Sequence, residues 1–166
     1  MAKPNWLEEL AENWFRMRGY ITQLHVRIPE FGRLELDLLA FNDEEFAIID
    51  LQTYVGEKGS VKVEATNLIK RFKTYDELLK ISPYKDVSKN KKLKRLFIAE
   101  APARRALALE FKNLIEKSGI EFMPMEEFLP KVLHEVDKYS HKKRWPLSHY
   151  DISRLLYELA QYELIK

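Results

Sequence analysis

Residues 32–54, GRLELDLLAFNDEEFAIIDLQTY, decide how this chain is read. Two apolar runs, RLELDLLAF and EFAIIDLQTY, flank the polar segment NDE, which suits the turn of a hairpin. Side chains alternate along a strand, so Glu35 and Asp37 are expected on one face with Leu34, Leu36 and Leu38 on the other. By the same alternation Asp50 shares a face with Gln52. Pairing the two runs brings Asp37 and Asp50 close to register and into the same space. Facing carboxylates repel, and partial burial raises the cost of ionising both. A divalent cation reverses that cost, and carboxylates with waters suit Mg²⁺ or Mn²⁺.

Upstream, PNWLEELAENWFRMRGY places Trp6, Leu7, Leu10, Ala11, Trp14 and Phe15 at helical spacing, with Gly19 where a C-cap belongs. YITQLHVRI then reads as a strand ended by Pro29, so a helix leads into three antiparallel strands. After a loop carrying Gly56 and Gly59, VKVEATNLIKRFKTYDELLK puts Val61, Ala65, Leu68, Phe72, Tyr75 and Leu79 on one helix face, Tyr75 as a core residue. Lys62, Lys70, Arg71 and Lys73 fall largely off that face. SPYKDVSKNKK reads as a basic loop, LKRLFIAEA as a buried strand, about 103–117 as a helix and IEFMPM as a short strand. Two further helices are expected, EEFLPKVLHEVDKY, which Pro130 should shorten or kink, and SHYDISRLLYELAQYEL, with Trp145 capping it or stacking on a base. The fold class is α/β (α+β): a helix, an antiparallel meander and a mixed central sheet covered by helices.

Bulk properties agree with one domain. The chain has 166 residues, 46% hydrophobic and 33% charged with five glycines, a globular composition able to bury its own core. The absence of cysteine excludes disulfides and thiolate metal sites and fits a reducing compartment. The start MAKPNWLEEL has no apolar signal region and no run is long enough to span a bilayer, so a soluble, cytoplasmic protein is expected. Abundant Lys and Glu resemble thermophile compositions.

The net charge of +2 hides an uneven distribution. From Glu30 to Asp50 there are seven acids against Arg33 alone; from Lys58 to Arg95 there are twelve bases against four acids. A basic helix beside an acidic centre can hold a phosphate backbone without reading its sequence, and Lys58, Lys62, Lys70, Arg71 and Lys73 are the candidate contacts. The histidines, His25, His134, His141 and His149, show no metal-ligand spacing. No glycine-rich phosphate loop and no Ser or Cys nucleophile motif is present.

Glu8, Gly19-Tyr20, Glu35-Leu36-Asp37 and Asp50-Leu51-Gln52, in that order, resemble the PD-(D/E)XK nuclease superfamily, the restriction-endonuclease-like fold. The motifs cover about residues 5–80 and the element order runs to about 125, with 126–166 a helical extension of the same domain. The resemblance implies a metal-dependent DNA nuclease in which Asp37 and Asp50 bind Mg²⁺ or Mn²⁺, Leu51 lends its carbonyl and Glu8 joins directly or through water. Glu35 stands behind these ligands or in a salt bridge. Leu36 replaces the family's usual Pro, and Gln52 replaces the lysine that supplies positive charge to water or phosphate. A neutral amide such as Gln52 positions water or phosphate by hydrogen bonds only; a lysine could also reach the site from elsewhere, with Lys58, Lys62 and Lys70 as candidates. Dimers are common in that family, and DISRLLYELAQYELI could form such an interface or pack in the core. The alternative is a catalytically silent relative that binds nucleic acid or a partner protein through the same basic face.

Overall fold

A computed structural model describes residues 5–28, 34–53, 55 and 60–140. The expected C-terminal helix, Trp145, Lys58 and the glycines of the 56–59 loop lie outside the described residues.

Helix α1, Trp6–Met17, begins with a reciprocal cap. The Asn5 side chain accepts from the Leu7 and Glu8 amides, each at 3.0 Å, while Glu8 Oε2 accepts from the Asn5 amide at 2.8 Å. Gly19, at φ +85°, lets the chain leave the helix for β1. Strands β1, Ile21–Arg27, β2, Glu35–Phe41, and β3, Glu45–Gln52, form an antiparallel meander. At its NDE turn the Asn42 side chain accepts from the amides of Glu44 and Glu45 at 2.9 and 2.8 Å. Helix α2, Val61–Tyr75, returns the chain so that β4, Lys92–Ala99, pairs parallel with β3; α4, Arg105–Glu116, does the same for β5, Glu121–Pro124. The sheet order is β1-β2-β3-β4-β5, mixed as expected.

The central strand β3 is buried from Phe46 to Leu51 because helices cover both faces. On one face Leu38, Ile49, Leu51 and Ile98 pack with α1 and with α5, Met125–Ser140. On the other, Leu39, Ile48 and Phe97 pack with α2 and α4. Within this frame Asp50 and Gln52, in step with Ile48, face α2.

Three expectations need correction. Helix α5 continues through Pro130, the sixth of its 16 residues, rather than stopping there; Phe128, Leu129 and Val132, all fully buried, anchor the helix on either side of the missing donor. The basic loop contains a short helix, α3, Tyr84–Ser88, preceded by a 3-10 turn at Asp76–Lys80. The strict alternation expected of β2 also breaks. Leu36 packs with Val26 in the α2-side core, whereas Leu38 packs with Leu24 in the α1-side core. The reversal falls at Asp37 and at His25 opposite it, and His25 has φ +53°. A left-handed residue inside a strand rotates the pleat, which moves side chains beyond it to the other face. Among the described residues no helix is long and apolar enough to cross a membrane.

Candidate functional site

The site opens where β2 and β3 part. Their last backbone pair is Leu38 with Ile49, so Asp37 stands opposite Asp50 at the first unpaired position. The Leu51 amide, with no β2 carbonyl to meet, donates to Asp37 Oδ2 at 2.7 Å. Asp37 thus closes the ladder with its side chain and remains partly accessible.

Asp50 is 1% exposed, and burial at that level requires partners. Tyr75 of α2 donates its hydroxyl to Asp50 Oδ2 at 2.9 Å. Arg71, one turn earlier, places Nη2 3.3 Å from Oδ1 and Nε 3.3 Å from Oδ2. With its amide oxygen turned toward Arg71, Gln52 accepts from Nη2 at 2.5 Å and from Nη1 at 2.8 Å. The sequence reading put Tyr75 in the core, and it is buried there, but its hydroxyl also serves the site. Its apolar spacing on α2 carried no sign of that second role.

Glu8 enters from α1, 7% exposed. Besides capping its helix it lies 3.4 Å from His25 Nε2, while His25 Nδ1 lies 2.7 Å from Glu35 Oε1. Glu35 thus pairs with the Nδ1 side of the imidazole, with Arg27 3.7 Å away as a second partner, while the buried Nε2 of His25 makes no hydrogen bond. Metal-ligand spacing is no guide to a side chain such as His25, which stands between two carboxylates.

Charge is concentrated here. Burial pushes the Asp37 carboxyl up to about 7, the neighbouring Asp50 and Glu8 charges push the same way, and the Leu51 amide and Arg71 oppose them. Burial also raises Asp50, against the pull of Arg71 and the Tyr75 hydroxyl. The Tyr75 phenol is raised by burial and by Asp50, so it stays a donor.

The expected basic contacts divide. Arg71 reaches the acidic centre, whereas Lys62 and Lys70 are exposed on α2 with no contact to Asp50 or Gln52, and Lys73 lines a separate cavity of about 340 Å³ with Asp76 and Arg95. The expectation that a relocated lysine reaches the site is thus not met by Lys62 or Lys70. Helical geometry gives the reason: at 100° per residue, Arg71 lies near the Tyr75 stripe that faces β3, and Lys70 is turned outward.

Asp37 and Asp50 offer hard oxygens, and Asp37 is under-compensated. Carboxylate oxygens are the donor type that Mg²⁺ or Mn²⁺ takes, one or two at a time with several waters, though both Asp50 oxygens already meet Arg71 and Tyr75. The pair is not a complete cage, since among the described residues no group of three or more His, Cys, Asp or Glu side chains has metal-holding geometry. Comparison with known proteins finds no matching family model, no matching curated protein and no matching solved structure.

Proposed function

We propose that this chain is a metal-dependent phosphodiesterase acting on DNA, built on the restriction-endonuclease-like plan that its motifs resemble. The observation that carries the reading is the pairing of Asp37 with Asp50 at the fork of β2 and β3, where burial and the neighbouring charge make the Asp37 carboxylate costly to ionise without a cation. Asp37 and Asp50 would hold Mg²⁺ or Mn²⁺, with the Leu51 carbonyl and Glu8 assisting. Such an ion, when bound, polarises a phosphate and lowers the pKa of water. The chain's own contribution is orientation. The Leu51 amide fixes the Asp37 carboxylate, Tyr75 fixes Asp50, and the Asn5 amide holds Glu8. The exposed lysines of α2 give a phosphate backbone a positive bank.

A second reading has an observation of its own. Both Asp50 oxygens already have partners in Arg71 and Tyr75, an arrangement that also suits a silent relative in which a guanidinium neutralises the acid and DNA or a partner protein is merely bound. One experiment separates the two. Plasmid, single-stranded and branched DNA are incubated with the protein in Mg²⁺ or Mn²⁺. Cleavage that disappears in Asp37→Ala and Asp50→Ala supports the enzyme, and salt-sensitive binding without cleavage supports the silent relative.

A further inference from the structure

We infer that Arg71, delivered by α2 and held by Gln52, is the phosphate-contacting cation of this site, in place of the lysine that Gln52 displaces. The inference rests on the phosphodiesterase reading and adds to it the residue that carries the charge.

Two Arg–Asp pairs in the same protein show what is unusual about Arg71. Arg95 grips Asp76 as a fork, Nε to Oδ1 at 3.0 Å and Nη2 to Oδ2 at 2.9 Å, both within hydrogen-bond geometry. That is how a dedicated structural ion pair is made. Arg71 meets Asp50 at 3.3 Å twice, and its buried Nε finds no acceptor in hydrogen-bond geometry. Its shorter contacts are those to the neutral Gln52. Asp50 therefore holds Arg71 loosely, and Gln52 holds it in place.

The choice of Gln52 follows. A lysine at that position would set two cations against each other, whereas an amide oxygen accepts two guanidinium N–H groups and leaves the positive charge undiminished. Arg71 is also reachable, with 36% of its side chain exposed while Asp50 beneath it has 2%. A phosphate approaching the fork of β2 and β3 meets the guanidinium first. Planar, permanently charged and bearing five donors, Arg71 can turn toward phosphate oxygens without leaving the Gln52 anchor. Lys62 and Lys70 lack any such anchor among the described contacts.

The test is a double-mutant cycle read in two ways. For cleavage in Mn²⁺, Arg71→Ala is expected to lose about 100-fold, the scale of removing one preorganised transition-state donor. Gln52→Lys alone is expected to be slower than wild type, through like-charge repulsion. Gln52→Lys combined with Arg71→Ala should cut faster than Arg71→Ala, a reversal of sign that a purely structural arginine would not produce. The second reading is DNA affinity against salt in EDTA. Arg71→Ala should lower the log–log slope by about one phosphate contact, and Arg71→Lys, which guards against a folding defect, should keep it. Wild-type cleavage that Arg71→Ala leaves intact overturns the inference and spares the phosphodiesterase. No wild-type cleavage, with the slope still falling, removes the phosphodiesterase and keeps the phosphate contact. An unchanged slope in a protein that does not cut overturns both.

Discussion

Asp37 accepts the Leu51 amide at 2.7 Å, and this one bond ties an acidic side chain to the strand where the sheet stops pairing. The bond favours the charged carboxylate, yet burial and the nearby Asp50 outweigh it and leave Asp37 titrating at about 7. Relative to an ordinary aspartate carboxyl, at 3.8, Asp37 binds its proton more tightly in the folded protein. The stabilisation linked to that proton is full below about pH 4 and is lost as pH rises through about 7. Its upper limit is about 4 kcal/mol. Asp37→Asn keeps an acceptor for Leu51 and abolishes the titration. Urea unfolding should find Asp37→Asn more stable than wild type at pH 8, with the gap closing toward pH 4. Parallel curves at the two pH values would refute this account of Asp37.

A cation that relieves the same repulsion should stabilise the folded chain by mass action. At one hundred times its dissociation constant a ligand adds about 2.7 kcal/mol. Mn²⁺ should raise the melting temperature saturably at pH 8 and much less at pH 5, where protons hold Asp37. Asp37→Asn and Asp50→Asn should both abolish the rise. An equal rise in either variant would place the ion elsewhere.

Much of this was readable from residue types alone. The apolar run Phe46–Ile49 announces a strand and Asn42 in its turn announces the hairpin, so Asp37 and Asp50 are near one another by counting. Their direct opposition needs the register Phe41 with Phe46, one residue away from what a three-residue NDE turn gives. What counting misses is a change of direction. Alternation cannot foresee that φ +53° at His25 rotates the pleat and separates Leu36 from Leu38. Nor does it say which base on a basic helix turns inward. Lys70 and Arg71 are neighbours, and only the angle of α2 against β3 assigns the site to one of them.

Tyr75 offers a test of how Asp50 survives inside the protein. Its hydroxyl is the closer of the two groups on that carboxylate, at 2.9 Å against 3.3 Å for Arg71. Tyr75→Phe keeps the ring packed against Phe72 and strips one donor from a buried acid. The expected loss is about 1–3 kcal/mol in chemical denaturation. In an Asp50→Asn background the same change should cost less, because the charge that needed the donor is gone. An equal cost in both backgrounds would mean that the ring, and not the hydroxyl bond, sets the effect.

His25 combines a strained backbone with a place between Glu35 and Glu8, and two substitutions separate them. At φ +53° a β-branched residue is severely disfavoured, so His25→Val should lose about 1–3 kcal/mol of stability. Glycine adopts that φ freely, and His25→Gly should stay within about 1 kcal/mol of wild type. Both changes remove the imidazole that stands between Glu35 and Glu8. If the imidazole steers Glu8, DNA cleavage in saturating Mn²⁺ should fall in the well-folded His25→Gly protein about as far as in Glu8→Gln. The two together should be no worse than either alone, since both remove one positioned carboxylate. Full activity in His25→Gly would show that the capping bond from the Asn5 amide is enough to hold Glu8.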